Sequence, residues 1–144
     1  MSYVFVYGTL RRGGDAFDLL KGRTRYLGPA SVAGRLYDHG PWPSAALGGD
    51  RRITGDLFVL GSGMDVTLTA LDAYEGPQFR RVRAEVQPGG GDTVEAWMWV
   101  WNDPAGPGKP IVPCGDWHVH IGRIGCEVGP PETEDTPQPA PLLR

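Results

Sequence analysis

Short apolar runs, each broken by glycine or proline, set the pattern of hydrophobic and polar positions along this chain of 144 residues. The first run, residues 4–7, stops at Gly8 and predicts a buried central strand that ends in a turn. Other runs predict a short helix over residues 15–20 and strands over residues 31–37, 53–60, 79–86 and 94–101. Strands that do not alternate regularly with helices predict an α+β fold, a compact mixed β-barrel with a few peripheral helices.

Residues 65–74 carry the strongest helical pattern of the chain. Asp65 is placed to cap the start of this helix, and Gly76, followed by proline, is placed to end it. Residues at the spacing i, i+3 and i+7 share one stripe of the helix: Leu68, Leu71 and Glu75. The pattern therefore predicts that Glu75 points toward the apolar side, as the leucines do.

Composition divides the chain into a domain and a tail. Residues 1–128 fit one domain, and the 22 glycines and 14 prolines favour short strands over long helices. Residues 129–144 are rich in proline and acidic residues and contain little that could be buried. We expect this segment to be a flexible tail.

Charge and hydropathy exclude several classes of function. With 14 basic and 17 acidic residues the net charge is −3, which argues against a nucleic-acid-binding protein. No apolar run approaches the ~20 residues that cross a bilayer, and Met1 leads almost directly into the first strand. We therefore expect a cytoplasmic protein without a membrane segment. Two cysteines do not indicate a disulfide framework, and nothing in the sequence indicates an oligomeric state.

The turn after the first strand is a candidate anion site. A strand that stops at glycine can present the N–H groups of Gly8, Thr9 and Leu10 to a shared concavity, where they would stabilise a carboxylate or a developing oxyanion. Glycine would allow the ligand to approach the backbone closely. The alternative is an ordinary strand-to-loop turn.

Glu75 is the best single candidate for a catalytic group. A glutamate on the leucine side of a helix is unusual, and desolvation there would favour its neutral form. Its pKa would then lie closer to the range in which a group both takes and gives a proton. The alternative is a structural ion pair with Arg80 or Arg81.

Several motifs, taken in order, resemble the γ-glutamylcyclotransferase-like family, which includes γ-glutamylamine cyclotransferases and the plant AIG2-like proteins. The resemblance covers about residues 3–120. Its motifs are Tyr7-Gly8-Thr9-Leu10, Gly34-Arg35-Leu36-Tyr37 with Trp42-Pro43, Gly55-Asp56-Leu57-Phe58, Leu71-Asp72-Ala73-Tyr74-Glu75-Gly76, Phe79-Arg80-Arg81-Val82 and Gly115-Asp116-Trp117. The sequence departs from the family at Asp56, where many relatives carry glutamate, and at Phe79, where tyrosine is frequent.

The resemblance implies a mixed barrel and a reaction that releases 5-oxoproline and an amine from a small γ-glutamyl substrate. The substrate's own α-amine attacks its γ-carbonyl, and no metal or organic cofactor is required. Tyr7, Gly8, Thr9 and Leu10 would bind the substrate, and Glu75 would act as general acid and base. The alternative is a non-catalytic member of the same fold that binds a small molecule.

Two other groups of residues offer competing interpretations. Alternate residues near the C-terminal end would share one side of an extended strand and could hold a metal or form a nucleophile pair: Cys114, Asp116, His118 and His120. Pro113 and Gly115 argue against such a strand.

Trp97, Trp99 and Trp101 share one face of a predicted strand. We expect them to belong to the core or to line the barrel, and a stacking platform for sugars or bases is the alternative.

Overall fold

A closed five-stranded barrel forms the centre of the computed structural model, which describes residues 2–122. Its strands are β1 (Tyr3–Val6), β2 (Thr24–Asp38), β3 (Pro43–Leu60), β4 (Phe79–Pro88) and β5 (Val94–Trp101). Two α-helices accompany them, α1 (Met64–Glu75) and α2 (Trp117–His120), together with a 3₁₀ turn at Phe17–Leu19. The predicted α+β barrel with peripheral helices is confirmed.

The strands follow the order β1-β3-β2-β4-β5 around the barrel. Strands β2 and β3 form a long antiparallel hairpin, and β4 and β5 form a second one. The barrel closes through parallel pairing of Val4 in β1 with Trp97 in β5. Between β2 and β4 the pairing is limited to Ala30 with Pro88 and Ser31 with Gln87. The fold is therefore a mixed sheet.

Alternation along the strands divides the core into two clusters. Phe5 and Tyr7 belong to the cluster that also contains Ile53 and Met98, whereas Val4 and Val6 face the opposite way. The second cluster lies beneath helix α1 and includes Leu68, Leu71 and Trp99. Because β1 is buried on both faces, its sequence is a continuous apolar run. Val4 and Val6 share the second cluster with the leucines of α1, and this packing holds α1 against β1.

Several local predictions need correction. The hairpin strands β2 and β3 are much longer than predicted, and β3 begins at Pro43. The helix predicted over residues 15–20 is only a 3₁₀ turn. Gly63, with a left-handed backbone, precedes α1 as its N-cap, so Asp65 lies in the first turn instead. The predicted stop is confirmed, since Gly76 follows Glu75 with φ of 83°.

Of the three tryptophans of β5, Trp99 is buried in the core, and none of the three lines the barrel interior. Trp99 lies in the cluster beneath α1, and Trp97 packs against it. The interior is lined from β5 by Ala96, Met98 and Val100.

The proposed boundary between residues 128 and 129 and the tail that follows lie outside the described residues. Within residues 2–122, no helix is long and apolar enough to cross a membrane.

Candidate functional site

A cavity of about 340 Å³ lies between the end of β1 and the C-terminal end of α1. The five residues predicted for the site all line it: Tyr7, Gly8, Thr9, Leu10 and Glu75. The other lining residues are Phe5, Val6, Trp42, Pro43, Tyr74, Gln78, Phe79 and Trp99. The structure thus brings together segments some 65 residues apart in the chain.

The glycine loop (residues 8–10) forms one wall of this cavity. Its carbonyls are engaged, since Gly8 accepts from the amide of Arg11 at 3.1 Å and Thr9 from that of Ala16 at 2.8 Å. In contrast, no acceptor within residues 2–122 receives the amides of Gly8, Thr9 and Leu10. Backbone N–H groups need partners, so these three are available to a ligand.

Gly8 packs closely on the start of β3. A Cβ at this position would lie 2.9 Å from Cγ and Cδ of Pro43, which also lines the cavity. The absence of a side chain therefore lets the loop pack on the start of β3, and the close approach of a ligand to Gly8 stays a prediction.

A buried ionic network fixes the chain directly after the glycine loop. Arg11 donates to Asp116 at 2.9 Å and to Asp56 at 3.4 Å. The second oxygen of Asp56 accepts the amide of Arg12 at 2.9 Å. Asp116 also caps α2 through the amide of Val119. Asp56, where many relatives carry glutamate, is therefore a structural carboxylate. The sequence analysis did not predict this ionic network.

Helix α1 is tied to the barrel one turn before Glu75. Asp72 accepts a hydrogen bond of 2.9 Å from the indole of Trp99 and forms an ion pair with Arg81 at 3.2 Å. Sequence reasoning gave Asp72 no role, although its spacing of three residues from Glu75 placed it on a neighbouring part of the helix surface. These contacts fix the helix end that carries Glu75.

The carboxyl group of Glu75 is largely buried and unpaired. None of the ion pairs within residues 2–122 involves Glu75, and Arg81, one of its expected partners, is engaged by Asp72. Burial raises the pKa of Glu75 from 4.5 to about 7. Glu75 is therefore poised to exchange a proton near neutral pH.

Tyr7 connects the two walls of the cavity. Its hydroxyl donates to the backbone carbonyl of Trp99 at 2.7 Å, the residue whose indole binds Asp72. Burial, together with the negative charge of Glu75, raises the pKa of Tyr7 well above its ordinary value. Tyr7 therefore stays protonated and shapes the cavity wall.

Aromatic rings form the remaining side of the cavity. Trp42 lies 5.7 Å from Phe79, edge to face, and stacks on His39 at 4.3 Å. Trp101 packs behind them, 5.6 Å from Phe79. We refer to these four residues as the aromatic wall. Trp42 and Phe79 both belong to the sequence motifs of the family, but nothing local in the sequence shows that their rings converge.

The competing metal site lacks the geometry it required. Asp116 caps a helical turn that contains His118 and His120, so these residues do not alternate along a strand. His120 instead contacts Asp38 at 2.9 Å, and the exposed thiol of Cys114 donates to the backbone carbonyl of Asp116 at 3.5 Å. The described part of the chain contains no group of three or more histidine, cysteine or acidic residues arranged to hold a metal ion.

Comparison with known proteins assigns the family. The model of the γ-glutamyl cyclotransferase, AIG2-like family matches residues 4–119. The chain belongs to this family. A γ-L-glutamyl-butirosin B γ-glutamyl cyclotransferase from Niallia circulans is 31% identical over 107 residues, which cover 71% of this chain and 68% of that protein.

Two solved structures share the fold of this chain. An AIG2-like protein from Mus musculus has a TM-score of 0.68 and 21% identity, with 93% of this chain and 99% of that one covered. YkqA from Bacillus subtilis has a TM-score of 0.69 and 22% identity. The match covers 84% of this chain but only 41% of YkqA.

Proposed function

We propose that this protein is a γ-glutamyl cyclotransferase that releases 5-oxoproline and an amine from a γ-glutamyl amide. One observation carries the proposal: the unpaired, desolvated carboxyl of Glu75 lines the same cavity as the three unpartnered amides of the glycine loop. A proton carrier and an anion site are the two elements that this cyclisation needs. Membership of the family supports the same reaction class.

In the proposed reaction, Glu75 as a carboxylate takes a proton from the substrate's α-ammonium group. The freed amine attacks the γ-carbonyl carbon and forms the new C–N bond of the five-membered ring. Glu75 then gives its proton to the departing nitrogen as the original amide C–N bond breaks, and the ring nitrogen loses its second proton to the released amine, so that the products are a neutral lactam and an ammonium ion. A pKa near neutral suits both transfers, because neither form of Glu75 is strongly disfavoured at pH 7.

The glycine loop would bind the negative charge of the substrate, either its α-carboxylate or the oxyanion that develops on the γ-carbonyl. Tyr7 would shape the cavity behind the loop. Holding the amine and carbonyl in a folded conformer converts the reaction to a favourable intramolecular attack. The largest part of the rate enhancement would therefore come from positioning.

The test is to incubate the protein with γ-glutamyl-ε-lysine and with γ-glutamyl dipeptides and to measure 5-oxoproline. Glu75→Gln should lower kcat by at least ~10²-fold, since it removes the proton carrier but keeps the shape. Glu85→Gln, which changes an exposed glutamate on β4, is the matched control and should leave kcat unchanged. Absence of 5-oxoproline from every γ-glutamyl compound would contradict the proposal and favour a non-catalytic binding protein.

A further inference from the structure

We propose that this protein has a second binding site, which takes a small organic carboxylate with an apolar body. The site is a cavity of about 330 Å³ whose lining includes Arg35 and Tyr37 of β2, Arg80 of β4, Trp101 of β5 and residues 103–107. We refer to it as the seam groove. Among the described residues, none lines both the seam groove and the cavity between β1 and α1, so a ligand here leaves that cavity open.

The seam groove lies where β2 and β4 separate. Within residues 2–122, the pairing of these strands is limited to Ala30 and Ser31 of β2 with their partners in β4. Farther along β2, the amide of Asp38 donates instead to the carbonyl of Pro110 at 2.8 Å. The sheet therefore leaves a concave seam between its two hairpins, and residues 103–107 border it.

Two guanidinium groups line the groove without a carboxylate partner. No ion pair within residues 2–122 involves Arg35 or Arg80, and Arg80 does not pair with Glu75, its predicted partner. Arg35 donates from Nε to the hydroxyl of Tyr37 at 3.0 Å and from Nη1 to the carbonyl of Gly48 at 3.3 Å. These bonds orient its guanidinium and leave further N–H groups for a ligand.

Two neutral side chains of the groove are also hydrogen-bond donors. The hydroxyl oxygen of Tyr37 accepts from Arg35, so its own O–H is directed elsewhere and can donate to a ligand. The indole N–H of Trp101 is buried and has no acceptor within residues 2–122. Donors left without acceptors favour a ligand that carries acceptor oxygens.

The charges of the groove favour a single carboxylate. Asp103 is the acidic residue among its described lining residues, and one of its oxygens accepts the amide of Ala105 at 2.9 Å. Two arginines against one aspartate leave one positive charge uncompensated. A monocarboxylate would balance this charge and can accept two parallel hydrogen bonds from a guanidinium.

Apolar side chains form the rest of the groove and indicate the body of the ligand. Val82 and Val100 line it and pack with the core cluster of the barrel interior. The ring of Trp101 is held edge to face against Phe79 at 5.6 Å. An apolar group attached to the carboxylate would bury its surface against these side chains.

Nitrogen-15 NMR of the full chain, titrated with 3-phenylpropionate, locates the site. We expect the indole N–H signal of Trp101 and the backbone amides of Arg35 and Arg80 to shift with the probe. Trp101→Phe identifies the indole signal by its loss. Shifts confined to residues 8–10 would place the carboxylate at the glycine loop and overturn the proposal, as would a spectrum that does not change.

Matched probes and variants test the chemistry of the site. The uncharged 3-phenylpropionamide and acetate, which lacks the apolar body, should each bind at least ~10-fold more weakly than 3-phenylpropionate. Arg35→Gln and Arg80→Gln should each raise the Kd of 3-phenylpropionate at least ~5-fold. Arg25→Gln, which removes an exposed arginine of β2 outside the groove, is the control and should leave the Kd unchanged.

Equal binding of the acid and its amide would overturn the role of the carboxylate, and equal binding of acetate would overturn that of the apolar body. A Kd that neither Arg35→Gln nor Arg80→Gln raises, or that Arg25→Gln raises as much, would overturn the seam groove as the site. Each readout is binding rather than turnover, so these outcomes are independent of the proposed function.

Discussion

Two carboxylates beside the glycine loop, Asp56 and Glu75, have opposite surroundings. Asp56 is only 3% exposed, and its oxygens accept from the guanidinium of Arg11 and the amide of Arg12. Glu75 is also largely buried, but no ion pair within residues 2–122 reaches it, and its pKa rises to about 7. The negative charge of Asp56 is thus balanced by the guanidinium of Arg11, whereas the carboxyl group of Glu75 has no ion-pair partner and can exchange a proton.

The difference shows how one small barrel combines rigidity and chemistry. The paired carboxylate fixes the loop that presents the free amides, and the unpaired one faces the cavity those amides line. A cationic partner for Glu75 would lower its pKa and offset the effect of burial. Leaving Asp56 unpaired would release the loop. Substitutions at the two sites should therefore have opposite effects on stability.

The largest expected effect on stability comes from Asp56→Asn. This change leaves the buried Arg11 with a weaker set of partners and should lower the free energy of unfolding by about 3–5 kcal/mol. Urea unfolding at pH 7 measures it.

The matched control is Glu95→Gln, which breaks the pair with Arg83. That pair has an N···O distance of 2.9 Å, but its side chains are 55% and 60% exposed, so solvent screens it. Its loss should change stability by less than about 1 kcal/mol. Equal effects of the two substitutions would contradict a structural role for Asp56.

Glu75→Gln should instead stabilise the protein, and only at higher pH. Because the pKa of Glu75 is about 7 when folded and near 4.5 when unfolded, the folded state binds the proton more tightly. The wild-type free energy of unfolding therefore falls as the pH rises from about 4.5 to about 7. Glutamine removes this penalty, which amounts to at most about 3 kcal/mol above pH 7.

Thermal unfolding of wild type and Glu75→Gln at pH 4 and pH 8 measures this difference. The two melting temperatures should be close at pH 4 and should separate at pH 8, with the variant higher. Glu85→Gln should show no such separation, because it removes an exposed charge. A Glu75→Gln variant that is less stable at pH 8 would mean that Glu75 has a stabilising partner.

The smallest expected effect concerns Asp72, which shares helix α1 with Glu75 but is paired. Asp72→Asn keeps an oxygen for the indole of Trp99 and loses only the ion pair with Arg81, so it should cost less than about 1 kcal/mol. Asp72→Ala also loses the hydrogen bond and should cost about 1–2 kcal/mol. Equal costs in urea unfolding would show that charge rather than the hydrogen bond anchors the helix end.

Local sequence signals were sufficient for the elements that carry the proposed site. The apolar run of β1 and its stop at Gly8 are local, and so are the leucine stripe of α1 and its end at Gly76. The position of Glu75 follows from the helical period alone. These features depend on backbone preferences and burial, which neighbouring residues determine.

Contacts between residues that are far apart in the sequence could not be predicted from local patterns. Arg11 lies 105 residues from Asp116, and Trp99 lies 27 residues from Asp72. The lengths of β2 and β3 were missed because Gly48 and Gly49 interrupt the apolar pattern of β3. The pairing of Leu47 with Gly34 and of Arg52 with Ala33 continues the hairpin on either side of these glycines. The convergence of Trp42 and Phe79 likewise depends on the closed barrel.

A direct titration of the Glu75 carboxyl group tests the central claim without any substrate. Carbon-13 NMR of protein labelled at glutamate side-chain carboxyls follows each glutamate through pH, and the signal absent from Glu75→Gln identifies the one at this position. The account predicts a midpoint of about 7 for Glu75. A midpoint near the ordinary glutamate value of about 4.3 would contradict it, since Glu75 would then be solvated or paired.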